Sequence, residues 1–268
     1  VNSRSKWDGT FVAGLFVIGA FYVLLIVAML LADLMYTTPA HVGRALGSPE
    51  IRYAIWLSLI SCAITAILSV WVAVPLGYVL SRYRFPGKGF VDALVDIPVV
   101  LPPLVIGLSL LILFQTLLGR AFERFVFPVT YLVPGVILAQ FSVACAFAVR
   151  TMRVTFDQMT PRQEQVALTL GCSRSQAFWL VVLPEARRGI ISAGTIAWAR
   201  ALGEFGPILV FAGTTRMRTE VLSSTVFLEL SIGNLESAVA VSLLMVIVAV
   251  VVLYLFRRFV GVETGKQT

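Results

Sequence analysis

Long runs without a charged residue dominate the chain. Five of them cover residues 9–32, 53–81, 97–119, 125–149 and 237–256, each at least 20 residues long. A sixth stretch, 189–212, is uncharged except for Arg200 and Glu204. About 20 apolar residues are needed to cross the hydrocarbon core of a bilayer. The pattern therefore predicts an all-α membrane protein with six transmembrane helices. The first run is too long, and lacks the small-residue cleavage site, to be a removable signal, so it is expected to remain as a span.

Proline interrupts one of these runs. Pro98, Pro102 and Pro103 fall within six residues, "PVVLPP". Proline inside a helix removes a hydrogen bond, whereas at the first helical position nothing is lost. A regular helix is expected to begin near Pro103, with irregular backbone before it. That backbone has two readings: a loop at the membrane interface, or a non-helical segment lining a wet cavity inside protein.

Segment 150–188 is the largest polar connection. Thr160-Pro161-Arg162-Gln163 reads as an N-cap, a first-position proline and a capping-box partner, followed by a helix to Leu170. Gly171 is a natural left-handed stop. Ser173-Arg174-Ser175-Gln176 is a second capping box, opening a helix expected to run to about Leu183, where Pro184 discourages continuation. The result is two short helices joined by a glycine elbow. Val166, Ala167, Leu170 and Phe178 supply apolar surface there, which suits a docking site beside the membrane or packing on the chain's own helices.

On a helical wheel, Gly189, Ala193, Ala197, Arg200 and Glu204 fall in one sector, with Ile191, Trp198, Leu202, Phe205 and Leu209 opposite. Small residues four apart let helices approach closely. Ionisable residues in a span face the bundle interior or a water-filled path. Ala193, Ala197, Arg200, Gly203 and Glu204 are therefore candidates for lining a pore. Arg200 and Glu204 can pair, although acid before base would suit the helix dipole better. A structural clamp is the other reading of that pair. Gly203, Gly206 and Pro207 predict a kink or unwinding directly after it.

Charge sets the orientation. With the N-terminus inside, the inner segments hold 14 basic residues (Arg4, Lys6, Arg82, Arg84, Lys88, Arg150, Arg153, Arg162, Arg174, Arg187, Arg188, Arg257, Arg258 and Lys266). The outer loops hold six: Arg44, Arg52, Arg120, Arg124, Arg216 and Arg218. This asymmetry places both termini in the cytoplasm of a multi-pass cell-membrane protein. The organisation is then a cytoplasmic N-terminus at 1–10, a transmembrane domain at 11–260 containing the cytoplasmic loop 150–188, and a cytoplasmic tail at 261–268. The net charge of +7 is thereby a topology signal, and no nucleic-acid partner is expected.

Composition agrees: 59% of residues are hydrophobic and only 13% charged. Cys62, Cys145 and Cys172 lie far apart and His41 is the single histidine, so no metal cluster or disulfide framework is expected. Esterase and zinc-hydrolase motifs are absent. The tail "GVETGKQ" resembles a phosphate-binding loop, but its glycines are too close and Gln267 stands where a magnesium-binding hydroxyl is needed. The chain is read as no enzyme and as binding no cofactor, so active transport would need a partner's energy or an ion gradient.

Residues 165–184, "QVALTLGCSRSQAFWLVVLP", resemble the signature loop of binding-protein-dependent ABC importer permeases. Gln165, Val166 and Ala167 stand at that family's Glu-Ala-Ala triplet, Gly171 at its glycine, Val181 at its aliphatic position and Leu183-Pro184 at its ending. Gln165 replaces the acid, with Glu164 one residue earlier. The stretches "FPGKGFVDALVDIPVVLPPLVIGL" (85–108) and "WARALGEFGPILVFAG" (198–213) are similar to the molybdate, tungstate and sulfate permeases of the family. The resemblance implies a type I ABC importer permease fold. It implies a second permease subunit, identical or a sister, and a cytoplasmic ATPase dimer that carries ATP and magnesium. It also implies an external substrate-binding protein delivering an oxyanion, molybdate first, or tungstate or sulfate. Glu164, Gln165, Val166, Ala167, Gly171, Ser173, Val181, Leu183 and Pro184 would form the ATPase-coupling loop. The rival readings are an ABC permease for another solute such as phosphate, an ion-coupled carrier or channel working alone, and a membrane enzyme.

Overall fold

A computed structural model describes the backbone of residues 2–261 and the side chains of 11–256 and of Arg258. The tail 262–268, with its glycine-lysine motif, lies outside the described residues. All regular elements described are helical: α1 (Asn2–Tyr36), α2 (Pro39–Gly47), α3 (Pro49–Arg82), α4 (Lys88–Val100), α5 (Pro103–Gln115), α6 (Leu117–Phe125) and α7 (Val133–Gln158) form the first part. Then come α8 (Arg162–Thr169), α9 (Arg174–Ala177), α10 (Leu183–Glu185), α11 (Arg187–Leu202), α12 (Leu222–Ser231) and α13 (Leu235–Gly261).

Four helices are long and apolar enough to cross a membrane unbroken, in the stretches Phe11–Tyr36, Pro49–Arg82, Val133–Gln158 and Leu235–Phe256. The other two expected spans are divided. Run 97–119 is split between α4 and α5, which meet at 114°. The cause lies in the sequence: a residue before proline is pushed out of the helical region. Leu101 and Pro102, each followed by a proline, have ψ of 141° and 132°. The expected start at Pro103 is observed. The expectation of irregular backbone before it is corrected, because Pro98 sits inside the regular helix α4 and the break is confined to Leu101-Pro102. Stretch 189–212 is also broken: α11 stops at Leu202, and a single π-helical turn, Ile208–Ala212, resumes after Pro207.

The core is built by α3, α7 and α11. Along α3, Ala54, Ser58, Ser61, Thr65, Ser69, Ala73 and Gly77 repeat every three or four residues and are all buried. Helical geometry puts them on one face, and their size lets the backbones meet. Gln140 on α7 fastens the three helices. It accepts a hydrogen bond from Thr65 Oγ1 at 3.2 Å and donates to the carbonyl of Ala201 at 3.3 Å. A buried amide in an apolar bundle is costly unless it is bonded in this way. A second cluster around Phe114, Val136, Ile208 and Phe211 closes the end where α5 and the π-turn pack. The apolar stretch of α1, by contrast, buries nothing within the chain.

Candidate functional sites at the elbow and the charged helix

At one end of the core, α7 runs into the elbow. Helix α8 forms as expected, but the Thr160 cap does not: the helix starts at Arg162 without a side-chain cap. At its far end Leu170 closes the helix, and Gly171 takes φ +92°, the left-handed conformation that a side chain disfavours. The second capping box is present. Ser173 Oγ accepts from the Gln176 amide at 3.2 Å, and the Ser173 amide donates to Gln176 Oε1 at 2.8 Å.

Pro184 does not end the second helix. α9 widens into a π-helical stretch, Phe178–Val182, in which the Leu183 amide reaches back five residues to the Phe178 carbonyl. That wider turn accommodates the hydrogen that Pro184 lacks, and α10 and α11 continue with Ala186 bonded to Val182 and Ile190 to Ala186. The chain from Ser173 to Leu202 is consequently one bent helical path from the elbow to the charged residues. Val181 and Leu183 are half-buried along it and Pro184 is exposed.

The apolar surface of the elbow is only partly what the pattern suggested. Val166 and Leu170 are exposed, at 55% and 81%. Ala167 is buried, and Phe178 packs edge-on against Tyr78 at 4.8 Å between ring centres. Trp179 and Leu180 are exposed instead. Gln165 is exposed, whereas Glu164 is turned inward. The Tyr78 hydroxyl donates to Glu164 Oε1, and Arg82 Nε lies 3.8 Å from Glu164 Oε2 while its Nη2 donates to the Met159 carbonyl. Tyr78 and Arg82, from the last turns of α3, thus hold the elbow in place. Sequence reasoning missed both, because nothing local marks a residue 86 positions from its partner.

At the break in α11, Arg200 Nη1 approaches Glu204 Oε2 at 2.8 Å as an ion pair. The contact is not aligned as a hydrogen bond, and that oxygen has no hydrogen-bond donor among the described residues. Glu204 is 1% exposed in its side chain and Arg200 30%. The guanidinium also lies over the Phe147 ring, 5.6 Å from its centre, a favourable cation–π contact. Ser223 donates to the Glu204 carbonyl, which the broken helix leaves open.

The corner between α4 and α5 packs on this break. A side chain added at Gly107 would meet Cα of Pro207 at 2.7 Å, so only glycine permits the approach. Between the two irregular segments lies an open cavity of about 310 Å³, lined by Pro102, Pro103, Arg200, Gly203, Glu204 and Gly206. Pro102 and Pro103 form an exposed rim of this cavity. The five residues of the pore-lining set do not share one surface. Arg200, Gly203 and Glu204 reach this cavity, while Ala193 and Ala197 are fully buried between α3 and α7. The opposite face is also core: Trp198 and Leu202 are each 4% exposed.

Comparison with known proteins places these features in a family. Residues 73–261 match the family described as binding-protein-dependent transport system inner membrane component. The sulfate transport system permease protein CysT of Escherichia coli is 33% identical over 235 residues, covering 87% of this chain and 84% of that protein. The molybdate/tungstate transport system permease protein WtpB of Thermococcus kodakarensis is 37% identical over 169 residues, 63% of this chain and 64% of that one. Among solved structures, a bacterial alginate ABC transporter in complex with an alginate pentasaccharide-bound periplasmic protein contains a chain of the same fold. Its TM-score is 0.75 at 16% identity, over 94% of this chain and 93% of that chain. The inward-facing MetNI methionine ABC transporter gives 0.64 at 19% identity, over 80% and 98%.

Proposed function

The chain belongs to the family of binding-protein-dependent transport system inner membrane components, and we propose that it is the permease subunit of an ATP-driven importer for a tetrahedral oxyanion. It is a multi-pass membrane protein. Molybdate is the first substrate, with tungstate and sulfate beside it; the relatives named for sulfate and for molybdate/tungstate support the class. In this reading α1, α3, the α4–α5 pair, α7, α11 with its π-turn, and α13 make six crossings. Both termini and the elbow face the cytoplasm, as the basic residues favour.

One observation carries the reading: an exposed elbow is joined by continuous helix to a charged break bordering a cavity. An ATPase dimer gripping Val166, Leu170 and Gln165 would move that helix as a lever. ATP and magnesium belong to that partner. An external binding protein would deliver the anion, and a second permease subunit would complete the path around Arg200.

The test is reconstitution with candidate ATPases and binding proteins in vesicles. Uptake of labelled molybdate, tungstate or sulfate should require ATP and the binding protein. Uptake driven by an imposed ion gradient with no ATPase bound would overturn the proposal in favour of a solitary carrier.

A further inference from the structure

Toward the first turn of α11, steps of four from Arg200 lead through Ile196 and Ser192 to Arg188, a row that winds about 120° around the helix. Facing it, α7 presents Phe147, Arg150, Val154 and Gln158 in steps of three and four. The stripes touch at one end, where Arg200 covers Phe147. At the other they part around a second cavity, of about 730 Å³, whose polar lining includes Arg150, Gln158, Thr160, Glu185, Arg188 and Ser192.

This cavity is chemically unlike the apolar groove on the outer side of α3, α5 and α7. Its lining holds the guanidinium groups of Arg150 and Arg188 and the carboxylate of Glu185. Arg188 is exposed and lines the cavity. Arg150 uses Nε toward Asp96 at 3.3 Å, which leaves its outer nitrogens free. Guanidinium groups match tetrahedral oxyanions because their fork donates two parallel hydrogen bonds and stays charged. Ser192, Gln158 and Thr160 add neutral donors. The volume holds on the order of twenty water molecules, so an anion could rest there partly hydrated and leave again.

Twelve residues separate Arg188 from Arg200, about 18 Å along the helix. That is more than half of the roughly 30 Å hydrocarbon thickness. Between them the row carries only the uncharged Ser192 and Ile196. We propose that the α7–α11 cavity is an exit station for the transported oxyanion, with Arg188 and Arg150 as its binding residues. The proposal rests on the reading of the chain as an oxyanion permease. It assigns the site to a free tetrahedral dianion and not to a lipid phosphate.

The experiment uses the assembled transporter with its ATPase, in phosphatidylcholine nanodiscs without nucleotide, at constant ionic strength. Binding of radiolabelled sulfate and of molybdate is measured for the parent, Arg188→Gln and Arg188→Lys. The expected result is saturable binding that Arg188→Gln weakens at least tenfold and Arg188→Lys largely preserves, with uptake per ATP, measured separately in sealed vesicles supplied with ATP, falling in parallel. Binding and uptake by Arg188→Gln within twofold of the parent would overturn the station and leave the oxyanion permease standing. Binding lost when phosphatidylglycerol replaces phosphatidylcholine would overturn it too, by assigning the site to a headgroup. A parent that transports no oxyanion under any condition would instead remove the underlying function.

Discussion

Glu164 in the elbow and Glu204 at the break after α11 each face an arginine, yet their surroundings set them different tasks. Glu164 has a hydroxyl donor from Tyr78, one cation, Arg82, at 3.8 Å, and partial access to water. Glu204 is sealed, with Arg200 as its single ion-pair partner among the described residues and one oxygen lacking any hydrogen bond. The first pair fastens one element to another at a wet boundary. The second keeps a charge where desolvation is expensive, and such a pair is weak support for stability but a strong lever if one partner is removed. Depth, and not residue type, separates the two roles.

The largest effect expected from breaking this comparison is at the deep site. Arg200→Ala leaves a buried carboxylate unpaired and should cost about 3–5 kcal/mol, read as a large fall in melting temperature of the purified protein. Arg200→Ala with Glu204→Ala should recover most of that loss. Uptake should stay abolished in the stable double variant; if it returns, the pair is only a clamp. ATPase co-purification should survive in the double variant.

Next is the elbow's own conformation. Gly171→Val has open space around its side chain but must adopt φ +92°, a strain of about 1–3 kcal/mol for a β-branched residue. Membrane insertion should be intact, while uptake falls about tenfold or more with ATP hydrolysis continuing. Normal coupled uptake in vesicles would count against the lever.

A smaller effect is expected at the shallow pair. Tyr78→Phe removes one hydrogen bond to a charged group, about 1.5–3 kcal/mol at most, and the water near Glu164 offsets part of it. Amide hydrogen exchange over 162–170 should quicken severalfold without loss of the core's protection. If the core loosens equally, Glu164 is as deeply embedded in the fold as Glu204.

The smallest effect lies outside the spans, at Glu220. Burial raises its pKa above the ordinary 4.5, outweighing the nearby Thr225 hydroxyl and Arg216, and neither carboxylate oxygen has a well-formed hydrogen bond among the described residues. A raised acid keeps its proton in the folded state after the unfolded chain has released it, so it costs stability as pH climbs above about 4.5. Glu220→Gln should melt a few degrees higher than the parent at pH 7.5, with the advantage shrinking toward pH 4.5. A difference independent of pH would assign the gain to packing.

Several of these features were legible without coordinates because their causes are local. The uncharged runs announced apolar helices, Gly171 and the Ser173–Gln176 box announced the elbow, and the prolines before residue 104 announced a break. The break's position was shifted because Pro98 tolerates a helix that consecutive prolines at 102 and 103 do not. Pro184 misled for a related reason: a π-helical turn, invisible to a 3.6-residue period, carries the helix past it. Ala193 and Ala197 showed which face of α11 is small, but not that a neighbouring helix fills it.

The chain's own sequence thus determined which segments are helical, which are apolar and where the backbone must turn, since each depends on a residue and its immediate neighbours. Only the tertiary structure decided that Tyr78 and Arg82 anchor Glu164, that Gln140 ties three helices together, that the α4–α5 corner meets the break after Arg200, and that Arg150 and Arg188 open onto one cavity. Those pairings join residues tens of positions apart. Their energies depend on distance and burial, which no period or local motif encodes.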